Sequence, residues 1–467
     1  MAAHEFRSRY PQPGWVEQDP GEIWEAQLRA TRDTLAHAGV AAKDIAAIGI
    51  TNQRETLVVW DRKTGEPVFP AIVWQCRRTS ELCAQLNASN DRAWIEERTG
   101  LVIDPYFSGT KLRWLLDTVP DAQQRAEAGE LLFGNIDTWL ISKLTGGRVH
   151  VTDETNASRT LLMNLATGQW DDDLLRVFNV PRAMLPRIAK SSEVVGETDG
   201  DLLGAEIPIA GIAGDQQAAL TGQACFKPGM GKNTYGTGCF CLLHTGGKPV
   251  RSKNRLISTR AAALLGEKEF AIEGSVFIAG AAVQWLRDSL KLIPDAPSSQ
   301  AIAESVPDSA GVYFVPAFVG LGAPHWDSDA RGVISGLTRG ATAAHIVRAT
   351  LEAIAFQSRE LIDAQQADAG TPITEMRVDG GAAQNDFLMQ FQADILGCKI
   401  VRPADTETTA LGAAYLAGLA VDYWESTDQI AGFWKAERIF EPRIGDAERE
   451  RRFAGWQDAV ARAKART

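Results

Sequence analysis

Positive charge is in deficit in this chain: 48 Lys and Arg stand against 59 Asp and Glu, a formal net charge of −11. A general nucleic-acid binder needs the opposite balance to displace counterions from phosphates, so that class is excluded. Long apolar runs are also missing. The longest near the end, Ala410 to Val421, is mostly Ala, Gly and Leu and too short to span a bilayer. Met1 to Pro11 has charge but no apolar core, so no secretory leader is read there and the expected compartment is the cytoplasm. The six cysteines (Cys76, Cys83, Cys225, Cys239, Cys241, Cys398) form no CxxC pair and no metal-ligand spacing, which makes them reduced core thiols in expectation. No dinucleotide GxGxxG, no GxSxG elbow and no HExxH zinc helix occurs. Gly229-Met230-Gly231-Lys232-Asn233 comes near a Walker A loop, but Phe226 stands at its first glycine and Asn233 at its Ser/Thr.

What is present is length, glycine and a repeated strand-loop pattern. At 467 residues the chain exceeds one hydrophobic core, so two domains around a cleft are expected. The boundary is read near Gly222 to Gly231, giving domains 1–223 and 224–467. A helix is predicted from Glu22 to about Ala38, with Asp19 as N-cap, Pro20 in the first turn and Gly39 as the stop. Ile45 to Thr51 reads as a strand buried on both faces. Polar Asn52 to Thr56 follows, then a second strand, Leu57 to Trp60, and a hairpin turn over Asp61 to Gly65. The same strand-to-polar-loop pattern recurs where Ile207 to Ala213 enters Gly214-Asp215-Gln216-Gln217. It recurs again where Lys232 to Thr234 enters Tyr235-Gly236-Thr237-Gly238, and where Met376 to Val378 enters Asp379-Gly380-Gly381. Functional groups at strand ends facing a cleft are what open α/β sheets supply. The last segment, Ala447 to Arg466, places Phe453, Trp456 and Val460 at helical spacing and reads as a surface-docked helix.

Within these loops Asp215 is the first candidate. At a strand-to-helix turn, N–H groups and the helix dipole would keep its carboxylate ionised, ready to accept a hydroxyl proton during phosphoryl transfer. An Asp that merely caps its helix fits the local sequence as well. Arg54 and Glu55 offer guanidinium donors and carboxylate acceptors to a polyol, although adjacent opposite charges usually face solvent. Trp74 and Phe240 sit beside polar strand ends, as pocket wall or as core. Gly236-Thr237-Gly238 and Asp379-Gly380-Gly381-Ala382 would let backbone amides approach phosphate oxygens, and each also makes a common turn.

Taken together, these segments resemble the FGGY family of carbohydrate kinases, and within it the members that phosphorylate glycerol. The resemblance is carried by Gly49 to Thr56, Ile72 to Arg78, Gly100 to Lys111, Gly211 to Ala219, Asn233 to Phe240 and Val378 to Gly381, and it runs from Tyr10 to Trp456. It implies two actin-like, ribonuclease-H-like α/β domains around a central cleft. It further implies that Arg54, Glu55, Tyr106, Asp215 and Gln216 bind glycerol hydroxyls, with Trp74 and Phe240 on the carbon chain. Asp215 would be the general base and lie near Mg2+. For ATP, Gly236 and Thr237 would touch phosphates, Gly280 and Gln284 would line the cleft, and Gly381 and Asn385 would sit by phosphate and adenine. Self-association as a dimer or tetramer, without nucleic acid or membrane insertion, is implied too.

Two departures from the family pattern carry expectations. The family's opening β-hairpin, with an Asp-x-Gly-Thr-Thr-Ser-x-Arg type loop, has no counterpart here, since that motif occurs nowhere in the sequence. Severely weakened phosphoryl transfer and an exposed sheet edge are therefore expected, with a non-catalytic polyol binder, or another FGGY kinase acting on a ketopentose or sugar acid, as the alternatives. Members inhibited by a sugar bisphosphate resemble one another in a Gly-rich loop with an Arg; here Gly200 to Glu206 is acidic and has none, so little such inhibition is expected.

Overall fold

The computed structural model describes residues 1–264, 266–327 and 329–464. The first helix spans Pro20–Ala38; Asp19 accepts from the Gly21 and Glu22 amides at its start, and Gly39 ends it in the left-handed region. The strand expected from Ile45 begins three residues later, at Ile48–Asn52, because Ala42–Asp44 forms a 3-10 turn. Nor is it buried on both faces. Its strand partner among the described residues is Pro208–Gly214, parallel to it, and it forms the edge of its sheet. The Asp61 turn does form, with the Lys63 and Thr64 amides donating to Asp61 Oδ1 at 2.9 and 2.7 Å. Yet Leu57–Asp61 pairs along its whole length with Leu131–Asn135.

The first half carries two principal sheets. One has five antiparallel strands in the order Ser8–Arg9, Glu17–Gln18, Ala71–Ile72, Leu57–Asp61, Leu131–Asn135. The other has three, in the order Ser192–Glu197, Pro208–Gly214, Ile48–Asn52. The second half carries one sheet of seven: Ile257–Arg260, Phe270–Val276, Cys239–Gly246, Gly231–Tyr235, Glu375–Asp379, Lys399–Pro403, Ala436–Phe440. Its central pairs are parallel, with Glu375–Asp379 between Gly231–Tyr235 and Lys399–Pro403. The helix Ala343–Ala369 lies on this sheet, and its Phe356 stacks on Trp456 at 5.5 Å between centroids. That contact, with buried Phe453 and Val460, docks the final helix Asp446–Lys464 as its spacing predicts; Arg466 lies outside the described residues.

The two halves meet through the Ala- and Gly-rich run noted in the sequence, now the helix Thr408–Ala420. It lies against Asp215–Gly222 and the strand Pro208–Gly214 with no room for side chains. A Cβ at Gly211 would stand 2.6 Å from the Ala417 nitrogen, and one at Gly222 or Gly412 would overlap the carbonyl oxygen of Thr408 or Ala218. No helix among the described residues is long and apolar enough to cross a membrane.

Candidate functional site

Because Ile48–Asn52 and Pro208–Gly214 run parallel, with Asn52 opposite Gly214, their C-terminal ends deliver their loops to one place. Glu55 takes a positive φ of 61° and turns the chain sharply. Glycine at 214 permits the approach that follows, since a Cβ there would stand 2.6 Å from Arg54 Cγ. Arg54 Nε thus comes to 3.2 Å from Asp215 Oδ1. Asp215 opens the helix Asp215–Gly222 and accepts from the Gln216 amide at 2.8 Å, so it does serve the helix start. Its side chain is also 35 % exposed. Burial of the group raises its pKa, with Arg54 and Lys232 opposing the rise. The Gln216 amide favours the ionised carboxylate too, as expected at a helix start, while burial sets the upward direction of the shift.

The guanidinium of Arg54 is fixed on every side. It donates to both oxygens of Glu273 at 2.5 and 3.1 Å, to Gln217 at 3.2 Å and to the Tyr106 hydroxyl at 3.4 Å. Arg159 completes the cluster, reaching Glu55 at 2.6 Å and Glu273 at 2.9 Å. Burial raises the pKa of Glu55, and the two arginines oppose it. For Glu273 burial also pushes upward, but Arg159 and Arg54 outweigh it and hold the carboxyl at about 2. Beside this charge cluster stand three aromatic edges: Trp74 lies 5.7 Å from Tyr106 and 6.5 Å from Phe240, centroid to centroid. Arg54, Glu55, Trp74, Tyr106, Asp215, Gln216 and Phe240 are brought together as the sequence suggested.

The second cluster lies on the seven-stranded sheet. Gly236 and Thr237 are exposed at the turn joining Gly231–Tyr235 to Cys239–Gly246. Their carbonyls accept from Ala279, Gly280 and Ala281 at 2.9 to 3.1 Å, which ties the turn to the start of the helix Gly280–Asp288. The Gly280 amide is therefore already engaged, and Gln284 is exposed one turn further on. Gly381 is exposed with open space around it, whereas neighbouring Gly380 carries the backbone demand, at φ 86°. Asp379 is spent on structure, accepting from Gln223 and Thr408 at 2.8 and 2.7 Å. Asn385 caps the helix Asp386–Leu396 through Leu388 and donates to Ser299 at 3.2 Å.

Residues 1–222 match the N-terminal domain of the FGGY family of carbohydrate kinases, and residues 231–421 match its C-terminal domain. The chain belongs to this family. This FGGY kinase is 58 % identical to glycerol kinase 2 of Thermotoga maritima over 98 % of its length and 92 % of the relative's. It is 58 % identical to the glycerol kinase of Deinococcus radiodurans over 99 % of its length and 92 % of that protein's. The crystal structure of Plasmodium falciparum glycerol kinase with ADP superposes with a TM-score of 0.93 at 39 % identity, covering 99 % of this chain and 93 % of the other.

In this FGGY kinase the candidate site also draws in Arg159, Gln217, Lys232 and Glu273, to which sequence reading gave no role. Arg159 has no local signal, since nothing near it in the chain shows the distant partner, whereas Gln217 stands in the same loop as Asp215. Glu273 and Lys232 had a local signal. Each is a lone charge in a strand, Phe270–Val276 or Gly231–Tyr235, and a charge inside a buried strand must be paired or hydrogen-bonded.

Proposed function

We propose that this chain is a glycerol kinase, transferring the γ-phosphoryl group of ATP to a primary hydroxyl of glycerol to give sn-glycerol 3-phosphate. The observation that carries the reading is the Arg54–Glu55–Tyr106–Asp215 cluster walled by Trp74 and Phe240. A three-carbon triol presents hydroxyls to charged groups on one side and carbon to aromatic edges on the other. In this reading Arg54, Glu55, Tyr106, Asp215 and Gln216 bind hydroxyls while Trp74 and Phe240 cover the chain. Asp215 takes the proton as the hydroxyl oxygen attacks the γ-phosphorus and the bond to the β-bridging oxygen breaks. Gly236 and Thr237 bring backbone to the phosphates, Gly280 and Gln284 line the nucleotide cleft, and Gly381 and Asn385 border phosphate and adenine.

A magnesium ion in such a reaction is bound largely by water and phosphate oxygens and takes only one or two carboxylates. The donor set suits that arrangement: Asp215 is a partly exposed carboxylate whose described contacts fall on Oδ1. No group of three or more His, Cys, Asp or Glu among the described residues could hold a metal by itself. When bound, the ion would neutralise phosphate charge. The enzyme would work in the cytoplasm, where its six free, buried cysteines stay reduced.

The test is an ADP-release assay with ATP and magnesium across glycerol, a ketopentose and a sugar acid. Glycerol is expected to be the substrate turned over. Asp215→Asn should lower kcat by about 1,000-fold, within the usual range for a lost general base, while glycerol still binds. An active Asp215→Asn enzyme would remove the assigned base, and preference for a ketopentose would remove glycerol.

A further inference from the structure

Of the buried ionisable groups that the proposed reaction leaves unused, Lys232 is the one placed to act on it. It lies on the strand Gly231–Tyr235 with its side chain wholly buried. An ammonium group has three protons and accepts nothing. Here all three are directed: to Gln216 Oε1, to Thr234 Oγ1 at 2.7 Å and to the Phe240 carbonyl at 3.3 Å. None of these acceptors is a carboxylate. An ammonium is expensive to bury, and an apolar side chain would fill a strand position at lower cost. What Lys232 adds is the convergence of three donors on three parts of the site.

Those parts lie on both sides of the cleft. Gln216 follows Asp215 in the first turn of its helix, in the first half. Thr234 stands two residues before the Gly236 turn, and Phe240 carries the aromatic wall facing Trp74. We propose that Lys232 is a positioning residue, clamping the Asp215–Gln216 turn of the first half to the second-half hairpin that carries Thr234 and Phe240. The clamp would set the distance between the hydroxyl-binding side chains and the wall that holds the carbon chain. It gives the near-match to a Walker A loop a different meaning, because the ammonium is saturated by protein acceptors instead of reaching phosphate. Asp379 and Asp215 support its charge from further off, while burial works against it.

The inference rests on the glycerol reading, so the test separates the two. Steady-state kinetics with glycerol and ATP, and calorimetric titration with glycerol alone, are compared for wild type, Lys232→Met and Lys232→Arg. Lys232→Met is expected to lower kcat/KM for glycerol about 100-fold, the scale of an ångström-sized misplacement, with the loss seen in glycerol binding as well. KM for ATP should stay within about threefold, and Lys232→Arg should recover about tenfold of the loss by restoring donors. Glycerol constants for Lys232→Met that match wild type overturn the clamp alone. A loss confined to KM for ATP also overturns it, in favour of a phosphate contact. If Lys232→Met fails to fold, Thr234→Val removes a second-half acceptor that has no substrate role and should show the same glycerol-confined loss in smaller measure; an ATP-confined loss there, or glycerol constants that match wild type, overturns the proposal. A wild-type protein that neither binds nor phosphorylates glycerol overturns both readings.

Discussion

In the proposed reading the two halves bring different kinds of chemistry to one cleft. The first contributes side chains: Arg54, Glu55 and Asp215 from loops at strand ends, and Tyr106 from the turn before the helix Ser108–Thr118. The second contributes backbone, at the Gly236–Gly238 turn and at Gly380–Gly381, from one continuous seven-stranded sheet. A backbone turn holds its place only if the strands on either side are held, and Gly231–Tyr235 has a strand neighbour on each side. A charged side chain can instead be fixed by counter-charges reaching in from elsewhere. In the first half they do reach in, since Glu273 crosses from the second-half sheet to hold both Arg54 and Arg159.

That division is sharpest where it is crossed, so the largest effect is expected at Glu273. Replacing it by Leu leaves Arg54 and Arg159 buried without their shared partner. Removing one member of a buried ion cluster costs about 3–5 kcal/mol. Chemical denaturation should show a loss of that size, together with weakened glycerol binding. A loss below about 1 kcal/mol, the scale of a surface pair, would mean the first half holds its own site without help. The sign with pH follows from the depressed pKa of about 2. The stabilisation from Glu273 is complete above the ordinary glutamate range and is lost as pH falls from there toward 2.

The next effect lies at the seam between the halves. An added Cβ at Gly412 would overlap the Ala218 carbonyl, and both groups are backbone, so neither can swing aside. Gly412→Ala should therefore cost about 1–3 kcal/mol, the usual scale of overpacking, measured as a lower unfolding midpoint. It should also slow turnover, because the displaced helix is the one that carries Asp215. A fall in stability without any change in kinetics would show that the seam and the site are independent.

How much of this was legible in the sequence depends on how local each cause is. The Pro20–Ala38 helix was readable to its caps because Asp19, Pro20 and Gly39 act within a few residues of themselves. The loops carrying Arg54 and Asp215 were readable because each follows directly from an apolar strand, and the Gly236 loop because glycines flank Thr237. Sheet order was not. Ile48–Asn52 read as buried on both faces but is only half-buried at Ile48, Gly49 and Thr51, and Leu57–Asp61 found its partner about 70 residues away, at Leu131–Asn135. The same limit hid Arg159, whose contacts with Glu55 and Glu273 are made only by folding. The structural contacts of Asp379 with Thr408 and of Asn385 with its helix start were equally out of sight. Arg32 gives another case: from the first helix it donates to the Leu202 carbonyl, bringing a guanidinium to a segment that has none in its own sequence.

The smallest effect tests the backbone half of the comparison at a single pair of residues. Gly380 has φ 86°, and a Cβ on it would stand 2.5 Å from the Tyr235 carbonyl, so Gly380→Ala should cost about 1–3 kcal/mol. Gly381 has nothing within 4 Å of the same added atom. Gly381→Ala should then change stability by no more than about 0.5 kcal/mol, as at an ordinary surface position. If its backbone borders the nucleotide phosphates, the extra methyl should still raise KM for ATP about threefold or more, with KM for glycerol unmoved. Stability and both KM values unchanged would take Gly381 out of the nucleotide site and leave the Gly236 turn as the second half's contact with phosphate. A change in glycerol KM instead would mean that the backbone half and the side-chain half are not separable at this distance.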